Sequence, residues 1–478
     1  MRQDLSRRGC WATTLGRGSV LVVLALCVSP QAEAATVTIP VVDSGFQEIR
    51  YVAGPGERNR VVVDWETDGV SVTLSDAGAN IDAPEELCAR TGIHTVRCHV
   101  RPTNTMTGLT GFLRRVTADL GDGDDRLVFT GFPENTRPTV VDAGSGDDEV
   151  IGSRDRPAHW DPQYGPFEEE AFDGGPGDDR LVGSFGRDRL EGGGGRDSLM
   201  GLAGDDVLSD GDRDGASRAR RPGPDVLDGG PGFDTVSYAR RRRPVLVDLG
   251  HAAGNGARGE RDVLRGLEAG VGGEGGDRLA SAASSRLREG FRYSSRLEGG
   301  AGRDRLVGRS GVDELLPGGG ADRVSCGAGV DAIAGGLSAR DVVLPGCERA
   351  RVDGMELDAY PVATGPAAAV HRINCPLAGD RIERCGGTVR YVQAARPHLL
   401  LALGTFPVGT WRPRRVGSEW TAVGRVLAAR PRGVMATVRI QGRNLPRLAW
   451  TIQLRITRRQ AGAGCRFARV ARFACSWS

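Results

Sequence analysis

From Gly174 to Ser209 the chain reads GGPGDDRLV, GSFGRDRLE, GGGGRDSLM and GLAGDDVLS, four nine-residue units with nothing between them. Each has glycine first and fourth, aspartate sixth and leucine eighth. Glycine permits positive φ and close backbone approach, so each unit can turn tightly and present bare carbonyl oxygens. The eighth-position leucines (Leu181, Leu190, Leu199, Leu208) fall in a strand of period two and are predicted to point into a narrow core between two sheets. A turn and a strand per unit means that two units close one coil. The sixth-position aspartates (Asp179, Asp188, Asp197, Asp206) then stand in columns at the turns, as hard anionic oxygens of the kind calcium prefers.

The same unit recurs at 120–128, 143–151, 220–228, 229–237 and 272–280. A second unbroken run of four follows from Gly299 to Ala334. The intervening residues 281–298 measure two unit lengths and keep Leu297 in the eighth-position phase with Ser295 in place of the aspartate. They are expected to form two degenerate coils without calcium, three unit lengths separating Asp277 from Asp304.

With this spacing the chain resembles the RTX (hemolysin-type calcium-binding) repeat family, which the nonapeptide G-G-x-G-x-D-x-U-x defines. The resemblance implies an all-β parallel roll with calcium between successive turns, held by the aspartate and by turn carbonyls. Carried onto this sequence, the aspartates are Asp125, Asp148, Asp179, Asp188, Asp197, Asp206, Asp225, Asp234, Asp277, Asp304, Asp313, Asp322 and Asp331. The turn glycines are Gly175, Gly177, Gly204, Gly230, Gly232, Gly300 and Gly302. Units with aspartate also at position five (Asp124, Asp147, Asp178, Asp205) offer more negative charge to an ion than those with Arg187, Arg196 or Arg303 there.

Upstream, Arg2, Arg7, Arg8 and Arg17, an apolar run from Val20 to Val28 and then Ala32-Glu33-Ala34 have the order of a secretory signal peptide, residues 1–34. That run is too short to span a membrane. Residues 35–118 read as an N-terminal β segment that caps the solenoid. Strands at Arg60–Glu66 and Val70–Leu74 flank an Asp68-Gly69 turn, and His94 and His99 are read as solvent-facing strand residues. Residues 119–350 are the roll. Residues 351–478 read as a small disulfide-bonded β-sandwich.

This tail carries 21 arginines against 6 acids, and residues 35–350 carry 38 arginines against 53 acids, so net charges of +15 and −15 hide behind a total of +2. There is no lysine. An arginine-rich β domain suits an anionic cell-wall polymer or polysaccharide, because the guanidinium fork matches phosphate and carboxylate. No nucleic-acid partner is expected. Eight cysteines beyond the leader allow 105 pairings. They fall into sequence-near couples (Cys88/Cys98, Cys326/Cys347, Cys375/Cys385, Cys465/Cys475), and nearest-neighbour disulfides are the economical reading.

Two inserts stand out. Asp210-Gly211-Asp212-Arg213-Asp214-Gly215 opens like an EF-hand loop, but its twelfth position is Arg221, which leaves a looser calcium loop or a solvated acidic turn. The basic run from Arg240 to Arg243 reads as an exposed loop. No H-E-x-x-H, G-x-S-x-G or G-x-x-x-x-G-K motif occurs, so the expected protein is extracellular and non-enzymatic, with calcium as its cofactor. The alternative is a polysaccharide lyase or epimerase on a parallel β-helix, for which Tyr238, Asp248 and His251 are the nearest candidate set.

Overall fold

Strands are the only regular elements among the described residues. The computed structural model describes residues 10–12, 25–27, 34–42, 46–66, 71–99, 113–131, 139–154, 170–211, 223–283 and 293–335, most of 337–357, and the strands between 367 and 454. The predicted signal peptide lies almost wholly outside them, as do residues 212–222 of the acidic insert. No described helix is long and apolar enough to cross a membrane.

Two units divide the chain, Met1–Glu191 and Gly192–Ser478. In the first, each coil lays one strand in each of two parallel sheets. One sheet stacks Phe46–Val52, Leu113–Asp119, Val140–Asp142 and Glu170–Pro176, in register through Tyr51, Ala118, Val141 and Phe172. The other stacks Arg60–Trp65, Arg126–Thr130, Glu149–Ile151 and Arg180–Val182, through Val61, Leu127, Val150 and Leu181. The register residues point inward and are buried, as period two requires. Phe129 and Phe172 stack across the core with centroids 6.2 Å apart. Residues 46–66 are therefore the first coil, and the remainder of the N-terminal segment edges it with antiparallel strands. Arg60–Trp65 pairs with Ser71–Asp76 as the hairpin reading predicts, and Thr95–His99 follows, held to Cys88–Arg90 by the disulfide Cys88–Cys98. His94 and His99 are exposed and bond to the Ala79 carbonyl and the Ser71 hydroxyl.

The second unit continues the same design within itself. One sheet stacks Val207–Ser209, Thr235–Ser237, Ala269–Val271, Ser295–Glu298, Asp313–Leu316, Ala332–Ala334 and Arg349–Val352. The facing sheet begins with Ser198–Met200, Val226–Asp228 and Asp262–Arg265. An antiparallel hairpin, Val245–Asp248 with Ala253–Ala257, then leads to a further stack of Arg278–Ala280, Arg305–Val307, Arg323–Ser325 and Val342–Val343. Leu306 pairs with Val324 and Leu315 with Ile333, each eighteen residues on, so two units do close one coil here.

Residues 281–298 depart from expectation. Among the described residues they contribute one strand, Ser295–Glu298, rather than two coils, and Leu279 stacks directly on Leu306. The extra unit length is absorbed within a single coil. The disulfide Cys326–Cys347 joins neighbouring cysteines in the last coils, while the couples Cys375/Cys385 and Cys465/Cys475 involve residues outside the described ones.

Beyond the last coil the described strands make one antiparallel sheet in the spatial order Met355–Leu357, Ala367–Asn374, Arg414–Trp420, Arg396–Gly409, Cys385–Gln393, Val434–Arg443 and Leu448–Leu454. Its two ends continue roll strands: Met355–Leu357 pairs with Arg349–Val352 and Leu448–Leu454 with Val342–Val343. Val389, Tyr391, Leu401, Val438 and Ile440 bury its inner face.

Candidate metal centre

At every turn the sixth-position aspartate is drawn inward, because its neighbours two residues on are strand core. What its carboxylate meets at most turns is backbone from the adjacent coil. In the first unit Asp125 Oδ1 accepts the Asn59 N–H (2.7 Å), Asp148 Oδ1 the Asp125 N–H (2.8 Å) and Asp179 Oδ1 the Asp148 N–H (2.9 Å). The second unit repeats the ladder from Asp225 to Asp197 and from Asp234 to Asp206. Beyond the hairpin it runs from Asp277 to Val245, Asp304 to Asp277, Asp322 to Asp304 and Asp331 to Asp313. These aspartates are all buried.

One oxygen of each of these acceptors is thus spoken for, and Asp313 Oδ2 is held by the Ser281 hydroxyl and the Arg309 N–H. The other, Oδ2 of Asp125, Asp148, Asp234, Asp304 and Asp322 and Oδ1 of Asp313, is enclosed and has no hydrogen-bond partner. A buried anionic oxygen without a partner is costly, and a cation answers it. Backbone carbonyls supply the rest of the donor set. A Cβ built on Gly146 would lie 1.5 Å from the Gly123 carbonyl oxygen and one on Gly177 1.5 Å from that of Gly146. Gly175 meets Gly144, Gly230 meets Leu202, Gly232 meets Gly204, Gly300 meets Gly273 and Gly302 meets Gly275 in the same way. Each coil therefore directs carbonyls at the glycine turn of the next, and that of Gly273 also accepts the Ala301 N–H at 2.9 Å. Among the described residues no three His, Cys, Asp or Glu side chains cluster as a metal site. An ion at these turns draws on carbonyls plus an aspartate, hard oxygens that suit calcium.

Burial dominates the electrostatics. It pushes Asp125 up to about 6 against the Asn59 N–H that lowers it, and Asp148 up to about 7 against the Asp125 N–H, with neighbouring acids adding to both. Asp304 and Asp313 rise to about 7 and Asp234 to about 8, again through burial first. The fifth-position acids act through this field rather than at the enclosed oxygen. Asp124 and Asp147 raise Asp148, while their own carboxylates accept the N–H of Asp147 and Asp178 in an outer ladder. Without calcium, the folded state holds protons that the unfolded chain releases above about pH 4. Stability from these groups is therefore largest at acid pH and falls as pH rises through 6 to 8. The melting temperature in EGTA is expected to drop between pH 5 and pH 8, and calcium affinity to rise over the same range as protons stop competing. A calcium-free melting temperature that climbs with pH would contradict this.

Not every predicted ligand is alike. Asp188 turns its carboxylate onto Ser184, accepting the backbone N–H at 2.6 Å and the hydroxyl at 3.2 Å. Asp277 Oδ2 accepts the Gly273 N–H at 2.6 Å. Conversely, the ladder includes rungs that the repeat pattern did not expose. Asp262 accepts from Asp225 (3.1 Å), Glu268 from Asp234 (3.0 Å) and Asp341 from Asp322 (3.0 Å), and Asn59 heads the first unit's ladder. Their sequence signals are partial: Val61, Leu264 and Val343 stand two positions after Asn59, Asp262 and Asp341, Gly54 and Gly336 five before Asn59 and Asp341, and Gly266 two before Glu268.

The two inserts are corrected. Asp210 is not a solvated turn residue, and Arg241 is not exposed: both are about 1% accessible. Arg241 Nε donates to Asp210 Oδ2 at 2.7 Å, Nη2 donates to the same oxygen, and Nη2 reaches Glu260 Oε1 at 3.1 Å. Arg240, Arg242 and Arg243 stay exposed as expected. Nor do Tyr238, Asp248 and His251 converge. Tyr238 is fully buried and donates to Asp262 Oδ2 (2.8 Å), whereas Asp248 is held by both terminal nitrogens of Arg309 at 2.7 Å, with His251 beside it at 3.1 Å.

The family model described as the RTX calcium-binding nonapeptide repeat, in four copies, matches residues 173–208 and again 289–324. No curated protein matches the chain.

Proposed function

Taking as premise that these coils are RTX calcium-binding nonapeptide repeats, we propose that the protein is a secreted, non-enzymatic calcium-responsive roll that completes its fold where calcium is plentiful and attaches to anionic surfaces through its basic C-terminal sheet. The observation that carries the reading is the column of enclosed aspartate oxygens with no protein partner. The leader-like residues 1–34 and the cysteine couples agree with export.

Attachment draws on the +15 charge of residues 351–478 and on strand register. Arg390 lies directly opposite Arg439. Like charges facing each other across a sheet repel, and an anionic group between them removes the repulsion. The sheet shares its end strands with the roll, so the full chain is the proper test object. It is expected to co-sediment with phosphodiester-bearing cell walls at low salt and to be released as salt shortens the screening length below about 8 Å. Binding indifferent to salt, or none at low salt, would reject the electrostatic anchor.

A further inference from the structure

The first rung of the first unit's ladder is an asparagine. Asn59 is fully buried, and its carboxamide nitrogen donates to the Tyr51 hydroxyl at 2.7 Å and to Asp76 Oδ2 at 3.1 Å. Tyr51 donates its own proton to Asp76 Oδ2 at 2.7 Å, so its oxygen is left to accept from Asn59. Asp76 is fixed in turn by the N–H groups of Arg60 and Gly78, both at 2.8 Å. This network determines which way the amide faces: the nitrogen takes the side with acceptors, and Oδ1 takes the other. Oδ1 is enclosed and has no hydrogen-bond partner.

That is the arrangement of the nonapeptide aspartates, reproduced by a residue outside both matched stretches. The Asn59 N–H binds Asp125 Oδ1 just as the Asp125 N–H binds Asp148 Oδ1, and Asp125 Oδ2 on the next rung is likewise enclosed and bare. The carbonyl row matches too. A Cβ on Gly123 would lie 2.3 Å from the Glu57 carbonyl oxygen, the same stacking that sets Gly146 against Gly123. The Gly56 N–H ties the two turns together by donating to Asp122 Oδ1 at 2.7 Å. Two buried unpartnered oxygens on adjacent rungs, with a backbone carbonyl directed at the next turn, form a donor set that suits a hard cation.

We propose that Asn59 is a calcium ligand, supplying Oδ1 together with the Glu57 carbonyl to an ion held between the first coil and the turn Gly121–Asp125. This ion joins the N-terminal β segment to the first matching repeat unit. Because its first-coil side-chain ligand is neutral, the site needs less charge neutralisation than those between two aspartates, and it binds more weakly.

The proposal rests on the coils binding calcium, and the experiment separates the two. Native mass spectrometry of the full chain counts bound calcium, and the part of the terbium luminescence that Tyr51→Phe removes reports on this ion. Asn59→Ala is expected to bind one ion fewer and to lose the Tyr51-sensitised signal, with the other ions retained. Asn59→Asp combined with Asp76→Asn, which exchanges acid and amide across their 3.1 Å contact and so keeps a donor in it while moving the charge to the site, is expected to keep the count and bind this ion more tightly, and it decides the matter if the alanine variant does not fold. An unchanged count and signal in Asn59→Ala, or an Asn59→Asp/Asp76→Asn protein whose weakest site is not strengthened, would overturn the proposal while leaving the other sites standing. A wild-type chain that binds no calcium would overturn both.

Discussion

Removing calcium with EGTA is expected to abolish most of the cooperative β structure of the roll, and millimolar calcium to restore it. At least six carboxylate oxygens, on Asp125, Asp148, Asp234, Asp304, Asp313 and Asp322, are enclosed without a hydrogen-bond partner. Each such group costs about 1–3 kcal/mol when left unanswered. Six of them together rival the whole stability of an ordinary domain, about 5–15 kcal/mol. Protonation relieves part of this, since burial raises these carboxyls, but only at the acid end of the range. Bound calcium instead contributes about 2.7 kcal/mol per site once its concentration is a hundredfold above Kd. With glycine-rich turns that lose much backbone freedom on ordering, the calcium-free chain lacks a compensating source of stability there. Far-UV circular dichroism and thermal melting with EGTA and then with calcium read the effect directly. A spectrum and melting temperature that do not change between the two conditions would refute calcium-dependent folding.

The second large effect is expected at Arg241, and it should be independent of calcium. Its guanidinium is buried between Asp210 and Glu260, a cation built into the chain where the repeat pattern breaks. Replacing it with methionine leaves two buried acids without their counter-charge, which costs about 3–5 kcal/mol. Arg242, one residue on, pairs with Glu274 at 3.5 Å in the open, and such a surface pair is worth less than about 1 kcal/mol. Urea unfolding at saturating calcium should therefore separate Arg241→Met clearly from Arg242→Met. Adding Asp210→Asn and Glu260→Gln to Arg241→Met should recover part of the loss, because the uncompensated charges are then gone. Equal midpoints for the two single variants would show that the buried triad does not hold the second unit together.

The two effects divide along what the sequence by itself determined and what only the tertiary structure decided. Repeat spacing was enough for the turn and strand of each unit, for Leu181, Leu199 and Leu306 in the core, and for the sixth-position aspartates at the turns. All of these follow from φ freedom at glycine and from a two-residue side-chain period, which are properties of a few consecutive residues. The pairing Cys88–Cys98 is equally local. Which unit stacks on which is not a local property. Leu306 meets Val324 eighteen residues on, but Leu199 meets Leu227 and Leu227 meets Leu264, because inserts of different length close a coil of the same height. That stacking recruits Asp262, Glu268, Asp341 and Asn59 into the ladder although none of their units carries both glycines that mark a repeat. It also carries Arg241 out of a run of four arginines into the interior. Hydrogen bonds between coils select residues by height along the stack, and a chain with inserts does not record that height in its numbering.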